Sequence, residues 1–327
     1  MPSAADGPTA GAVTAVVVDW NLPDQTSRCV RALVDDGVPA TRVVVVENGP
    51  TETTWTAVTR ELSSSVLVRV EPNVGFARAN NIGAKALPGR AYLLVNNDAF
   101  VHAAGSVGAM LAALERPGVG IVVPRLLNAD LTLQPTVAPF TRPLTALVRA
   151  SGLSRFLPDR WQPRLSTHWS HSSSREIEAA IGAVTLVEAA VWEQLEGLRE
   201  TSFMYAEDLD LCWRAAEQGW KTWFCAEAEF VHLGGASSGR RWGGRERAAH
   251  VARAEAEMIR EHLSPAQATI AIVLMRLGLA VRAVAFGALG NEAAAERCRG
   301  SLEGLARRRS PPADALPPPS VEVVRPG

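Results

Sequence analysis

Between Phe203 and Arg214 the chain reads F-M-Y-A-E-D-L-D-L-C-W-R, which places Glu207, Asp208 and Asp210 within four residues among bulky apolar side chains. Carboxylates are costly to bury, so acids that open an apolar-faced helix either cap it or perform acid–base chemistry. The pattern predicts a helix beginning near Ala206, with the acids at the positive end of its dipole and Leu209, Cys212 and Trp213 on its apolar face. Glu207 and Asp208 then stand at the helix mouth. A charge cluster that only caps the helix is the competing account.

Further polar groups follow short apolar runs. Val13 to Val18 ends in Asp19-Trp20-Asn21, Arg42 to Val46 leads into Glu47-Asn48-Gly49-Pro50-Thr51-Glu52, and Ala91 to Val95 ends in Asn96-Asn97-Asp98. An acid or amide after a buried strand can bind a nucleobase or ribose, and an Asp can hold a hard divalent cation that bridges phosphates. Asn, Asp and Gly also form ordinary turns. Their recurrence on one edge of one sheet favours the functional account.

These runs, with Val66 to Val70 and Val119 to Val123, are the strands that would position such groups. Thr26 to Asp36, Glu52 to Leu62, Gly75 to Leu87 and Gly105 to Glu115 lie between them, and the last three are periodic enough for helices. Strands alternating with crossover helices predict a doubly wound α/β sheet, which binds ligands beyond the carboxyl ends of its strands. Residues 131–180, rich in Pro, Arg, Ser, Trp and His, are expected as an irregular acceptor-side loop region. Trp161, His168, Trp169 and His171 cluster there, and its indoles either stack on sugar rings or pack on the sheet edge. Ile181 to Val187 should return as a buried strand.

Composition sets the class. The 327 residues allow one large domain with an appendage, and 33 basic against 34 acidic residues give no global field for nucleic acid. Cysteines 29, 212, 225 and 298 lack zinc or disulfide spacing, which fits a reducing, cytoplasmic compartment. Residues 1–12 carry no basic start followed by an apolar stretch and are expected as a flexible lead. After residue 244 the pattern turns helical, as an extension over 245–309: Arg245 to His262 is Ala-rich and charged, and Pro265 to Leu289 is apolar but for Arg276 and Arg282. Two accounts of residues 264–309 stand. Either they touch a membrane surface peripherally, aided by Arg297, Arg299 and Arg307 to Arg309, or they pack on the domain or in a homodimer. Residues 310–327, containing P-P-A-D-A-L-P-P-P, are expected to be disordered.

The series V-V-V-D-W-N, V-V-V-V-E-N-G-P-T-E, N-V-G-F-A-R-A-N-N-I-G, Y-L-L-V-N-N-D, F-M-Y-A-E-D-L-D-L-C-W-R and V-H-L-G-G-A-S resembles the family 2 glycosyltransferases, in their rhamnosyltransferase-like branch. The resemblance implies the GT-A fold over residues 13–244: a Rossmann-like mixed sheet with helices on both faces, here followed by C-terminal helices. It implies a nucleotide-sugar donor, dTDP-L-rhamnose first and a UDP-hexose as the alternative, and a glycan, lipid-linked or small-molecule acceptor. It places Asn21, Glu47 and Asn48 at the nucleotide. Asn73, Gly75 and Asn80 fall at the diphosphate, with Asn97 beside them. Asp98 and His232 would hold a divalent metal, Mg or Mn, and Asp208 would be the catalytic base with Glu207 and Asp210 raising its proton affinity. Glu47 stands where the family usually has Asp, and the lone Asp in N-N-D leaves open a metal-free diphosphate site or a non-catalytic binding protein.

Overall fold

The computed structural model describes residues 13–152, 156, 161, 165, 169–200, 204–234, 243–306 and 318–326. Residues 1–12, His168, Phe203, residues 235–242 of the V-H-L-G-G-A-S region, Arg307 to Arg309 and residues 310–317 lie outside that description.

The strands in chain order are β1 (Val13–Asp19), β2 (Val43–Asn48), β3 (Val66–Glu71), β4 (Ala91–Asn96), β5 (Ala99–Val101), β6 (Val119–Leu127), β7 (Leu133–Gln134), β8 (Val137–Ala138), β9 (Arg175–Ile177), β10 (Ala179–Ala180), β11 (Val184–Glu188), β12 (Lys221–His232) and β13 (Ser320–Val324). The main sheet runs β13-β3-β2-β1-β4-β11-β6-β12-β5. β3, β2, β1 and β4 are parallel neighbours, β11 runs against both β4 and β6, and β12 runs parallel to β6. The carboxyl ends of β1, β2, β4, β6 and β12 therefore share one edge of a mixed sheet.

Valine-rich runs form the centre because both faces of these strands are covered. Val13, Ala15 and Val17 face helices Pro23–Asp35, Glu52–Glu61 and Ser106–Leu114 through Cys29, Leu33, Val58 and Met110. Val16, Val18, Val44 and Val46 face the opposite core with helix Phe76–Ala86 and the acidic helix Glu207–Glu217, through Ala77, Leu211 and Trp213. Helix Pro23–Asp35 starts before the segment anticipated from sequence, because Pro23 suits the first helical turn.

The acceptor-side region carries more order than expected. It contains β7 to β10 and helix Pro143–Ser151, while Ile181 is exposed and the returning strand begins at Val184. Trp169 and His171 are buried, stacked on each other 4.8 Å apart and set edge-on to Phe224. His171 donates through Nδ1 to the Trp169 carbonyl and accepts from Thr136 and Val137 at Nε2, and burial holds its pKa down. These two rings pack on the sheet, whereas Trp161 is exposed.

The appendage is helical throughout its described part. Gly244–His262, Pro265–Ala288 and Glu292–Ala306 pack with helix Pro143–Ser151 around Ala146, Ala256, Ile259, Ala271 and Leu305. The third lies within the helical extension expected over residues 245–309. Its Arg299 pairs with Glu292 and Glu296. Gly300 and Gly304 let it approach closely, since an added Cβ would lie 2.1 Å from the carbonyl oxygens of Arg245 and Ala249. The expected disordered tail is corrected over Ser320–Val324. There S-V-E-V-V forms β13, which pairs antiparallel with the outer edge of β3 and covers its open backbone groups.

Candidate active site

The shared edge is built on a floor of buried polar groups. Asp19 and Glu47 are direct partners across the β1–β2 ladder and neither is exposed to solvent. Asp19 accepts from the Leu22 amide at 3.2 Å and from Asn97 Nδ2 at 2.5 Å, and Asn97 also donates to Thr26. Both Glu47 oxygens lack a hydrogen-bond partner, and burial followed by the Asp19 charge drives its pKa up, which favours the protonated carboxyl. Glu47 and Asn97 are thus buried beneath the strand edge. Asn80, 1% exposed, donates to the Phe76 carbonyl, and its side-chain oxygen has no hydrogen-bond partner.

The remaining strand-end amides shape loops. Asn48 donates to the Gly75 carbonyl and accepts from the Val74 amide, fixing the turn ahead of helix Phe76–Ala86. Gly75, at φ 87°, caps that helix, and its amide bonds Asn73 Oδ1 at 3.0 Å. Asn21, at φ 56°, accepts from the Thr51 amide and the Thr54 hydroxyl and so ties the β1 loop to the β2 loop. Asn21 and Asn73 remain half-buried at the rim.

Asp98 and His232 come together at the β5–β12 pairing. His232 Nε2 lies 3.3 Å from Asp98 Oδ1, and the Leu233 amide donates to the Asp98 carbonyl. Gln134, a residue sequence inspection missed, sets the ring. Its Nε2 donates to the His232 carbonyl and to Asn128 Oδ1, so its Oε1 must face His232 Nδ1, 2.7 Å away. Nδ1 therefore carries the hydrogen, and in the neutral imidazole the Nε2 lone pair meets the Asp98 carboxylate. Two lone pairs in contact invite a cation. No group of three or more His, Cys, Asp or Glu side chains suited to a metal occurs among the described residues. An ion bound by Asp98 and His232 alone would take its other ligands from phosphate and water, as Mg and Mn sites commonly do.

The acidic helix opens on strained backbone. Tyr205 (φ 81°) and Ala206 (φ 67°) both occupy the left-handed region, a costly arrangement for non-glycine residues that recurs at functional sites. Half-buried Asp208 accepts from the Gly182 amide at 2.6 Å and from its own helix at Leu209. Gly182 is required there, because a Cβ would stand 2.7 Å from that of Asp208. The neighbouring Ala183 carbonyl accepts from the Asn96 amide at the end of β4. The short link 181–183 thus ties the Asp208 carboxylate to the strand that delivers Asp98, at the same edge.

The three acids differ in environment. Burial raises the pKa of Asp208, with no charged neighbour as a main cause. Burial and then the Asp208 charge raise Glu207, whose Oε2 has no hydrogen-bond partner. Repulsion between the two neighbouring carboxyls adds to burial in favouring a shared proton on the pair. Asp210 contributes only as the least of the causes that raise Glu207. Burial opposes ionisation of Asp210, but His262 at 2.8 Å, Arg214 at 2.7 Å and Arg199 at 3.6 Å outweigh this and lower its pKa. His262, also missed in the sequence, stacks on Trp213 at 4.7 Å and bonds Glu217 through Nδ1.

Burial works against the His262 imidazolium, yet Asp210 and Glu217 prevail and raise its pKa. A raised folded-state pKa adds stability that is complete below the unfolded value of about 6.5 and fades as pH climbs through the folded one. His262→Gln should accordingly cost about 2 kcal/mol near pH 6 and much less in alkaline buffer, as read from denaturant midpoints across pH.

Fold and site geometry define a glycosyltransferase of the GT-A class. The family model described as Glycosyltransferase like family 2 matches residues 10–255. The chain belongs to glycosyltransferase family 2. It is 27% identical over 213 residues to the N-acetylglucosaminyl-diphospho-decaprenol L-rhamnosyltransferase of Mycobacterium tuberculosis, an alignment covering 61% of this chain and 68% of that one. It is 23% identical over 167 residues to the low-salt glycan biosynthesis hexosyltransferase Agl10 of Haloferax volcanii, covering 49% of each. Among solved structures it resembles the mannosyltransferase PcManGT of Pyrobaculum calidifontis, seen with GDP-Man and Mn2+. That match has a TM-score of 0.59 at 18% identity and covers 92% of this chain and 86% of the other. S. aureus TarS 1–349 with UDP-GlcNAc matches at a TM-score of 0.52 and 16% identity, covering 85% and 75%.

Proposed function

We propose that this enzyme moves a sugar from a nucleoside-diphosphate donor to an acceptor hydroxyl with inversion at the anomeric carbon. The sugar is L-rhamnose and the acceptor a lipid-linked diphospho-sugar, by similarity to the mycobacterial rhamnosyltransferase, and dTDP is the nucleotide that the sequence resemblance implies. The observation that carries the reading is the hydrogen-bonded connection, through Gly182, Ala183 and Asn96, between Asp208 and the Asp98–His232 pair.

Asp208 takes the acceptor hydroxyl proton while that oxygen bonds to the anomeric carbon and the carbon–oxygen bond to the diphosphate breaks. The Gly182 and Leu209 amides hold its carboxylate in place. Protonated Glu207 beside it lets Asp208 carry the negative charge. Asn73 and the amino end of helix Phe76–Ala86 at Gly75 face the departing diphosphate, where the helix dipole favours anionic oxygen. Asp98 and His232 would hold a divalent cation that offsets charge on the leaving group. Asn21 binds the nucleotide from the rim, with Glu47, Asn48 and Asn97 beneath it.

The test is release of nucleoside diphosphate from dTDP-L-rhamnose, UDP-hexoses and GDP-mannose, with manganese and with chelator. Fastest turnover of dTDP-L-rhamnose, dependent on manganese, is the expected result. Preference for a UDP-hexose would replace the donor assignment. Nucleotide binding without turnover of any donor would make the chain a binding protein.

A further inference from the structure

Helix Pro143–Ser151 and the three appendage helices enclose a cavity of about 430 Å³. Each of the four contributes one arginine to its wall: Arg149, Arg247, Arg282 and Arg297. Glu255 is the single carboxylate there. Its Oε1 accepts from Arg149 and from the Thr141 hydroxyl, both at 2.8 Å, so Glu255 and Arg149 neutralise each other. Among the described residues, Arg247, Arg282 and Arg297 have no carboxylate partner.

The surroundings sharpen that positive field. Half-buried Arg282 donates to the Arg149 carbonyl at 3.2 Å, and burial followed by the Arg149 charge disfavours its cation. Gly244 opens helix Gly244–His262 on the cavity wall, and no side chain caps that helix, so the positive end of its dipole adds to the guanidiniums. Glu246 in the same turn lines a neighbouring cavity with Arg245 and Arg253. A desolvated guanidinium pressed by a like charge is relieved by a bound anion, and phosphate oxygens match its fork of donors.

Other parts of the wall are apolar. Val251, Met275 and Leu279 line it, and the volume falls within the range of about 300 to 1,000 Å³ typical of small-molecule sites. A bare phosphate would leave those side chains against water. The cavity is also separate from the catalytic edge. His262, which bonds Asp210, lies roughly three turns beyond Val251 on the same helix, about 16 Å along its axis.

We infer that the appendage holds a second ligand site, which takes a phosphate ester with an apolar body. The phosphoryl group sits among Arg247, Arg282 and Arg297, and the apolar portion lies against Val251, Met275 and Leu279.

The test is calorimetric titration of the full chain, without donor or metal, with hexyl phosphate, inorganic phosphate and hexanol. Hexyl phosphate should bind at least about tenfold more tightly than inorganic phosphate, because several methylenes leave water, and hexanol should give no heat of binding. Arg282→Gln combined with Arg297→Gln should weaken hexyl phosphate roughly 30-fold. Val251→Asp, at a position already 39% exposed, brings a carboxylate one turn from Arg247 and should abolish binding of both phosphates. Unchanged melting temperatures show that the variants fold, and donor hydrolysis should match wild type in each, so failure here is separate from failure of the catalytic assignment. Equal affinity for inorganic and hexyl phosphate, binding of hexanol as tight as the ester, or affinity indifferent to the arginine changes would overturn the inference. Co-sedimentation with vesicles containing phosphatidic acid, lost in the double arginine variant, would support a lipid as the source of the ester. Hexyl phosphate binding without co-sedimentation would support a soluble one.

Discussion

Asp208→Asn should reduce sugar transfer by about 10²- to 10⁴-fold while donor affinity stays close to wild type. The amide keeps the size of the side chain, but its single oxygen can accept from only one of the Gly182 and Leu209 amides, which bond different carboxylate oxygens, and it cannot take the acceptor proton. Rates of transfer and nucleotide affinity, measured separately, check this, and unchanged transfer would remove Asp208 as the base. The pH profile provides a second readout. A base works ionised, so turnover rises with pH through its folded-state pKa, and burial places that limb above the ordinary aspartate value of about 3.9. Glu207→Gln is the control: burial and the Asp208 charge favour the protonated carboxyl, which glutamine resembles, so turnover should change far less.

Asp98→Asn should lower manganese-dependent turnover by at least about 100-fold and raise the manganese concentration needed for half activity. Asn in place of Asp keeps an oxygen ligand and removes the charge that competes for the cation. Gln134→Leu touches neither metal nor substrate, yet it frees the His232 ring to change tautomer and should cost about 10- to 100-fold in metal affinity. Manganese titration of donor hydrolysis separates the two, since excess metal should restore Gln134→Leu more fully than Asp98→Asn. Full activity of Asp98→Asn in chelator would show that the diphosphate is held without metal.

Much of the fold was legible in the chain because its signals are local. Val13 to Val18 and Arg42 to Val46 read as strands buried on both faces, since unbroken β-branched runs suit only a covered parallel sheet. The acidic helix declared itself by charge at its first turn and apolar spacing behind it. Short elements escaped: β7 and β8 are two residues each, below the length at which alternation can be recognised. β13 was hidden by the proline-rich stretch before it. Its pairing depends on an open edge of β3, which only the assembled sheet displays.

The sequence by itself determined which residue types reach the active edge: acids at the head of one helix and amides and acids at the ends of several strands. Only the tertiary structure decided what each one is. Asp208 and Asp210 are two residues apart, yet His262, 52 residues away from Asp210, joins Arg199 and Arg214 to neutralise it and leaves Asp208 to the cleft. Glu47 is buried against Asp19, and His232 acquired a defined tautomer from Gln134, 98 residues distant. Proton affinity and ligand character follow from desolvation and from the partners a group meets, and those partners are brought together by the fold from parts of the chain that share no local pattern.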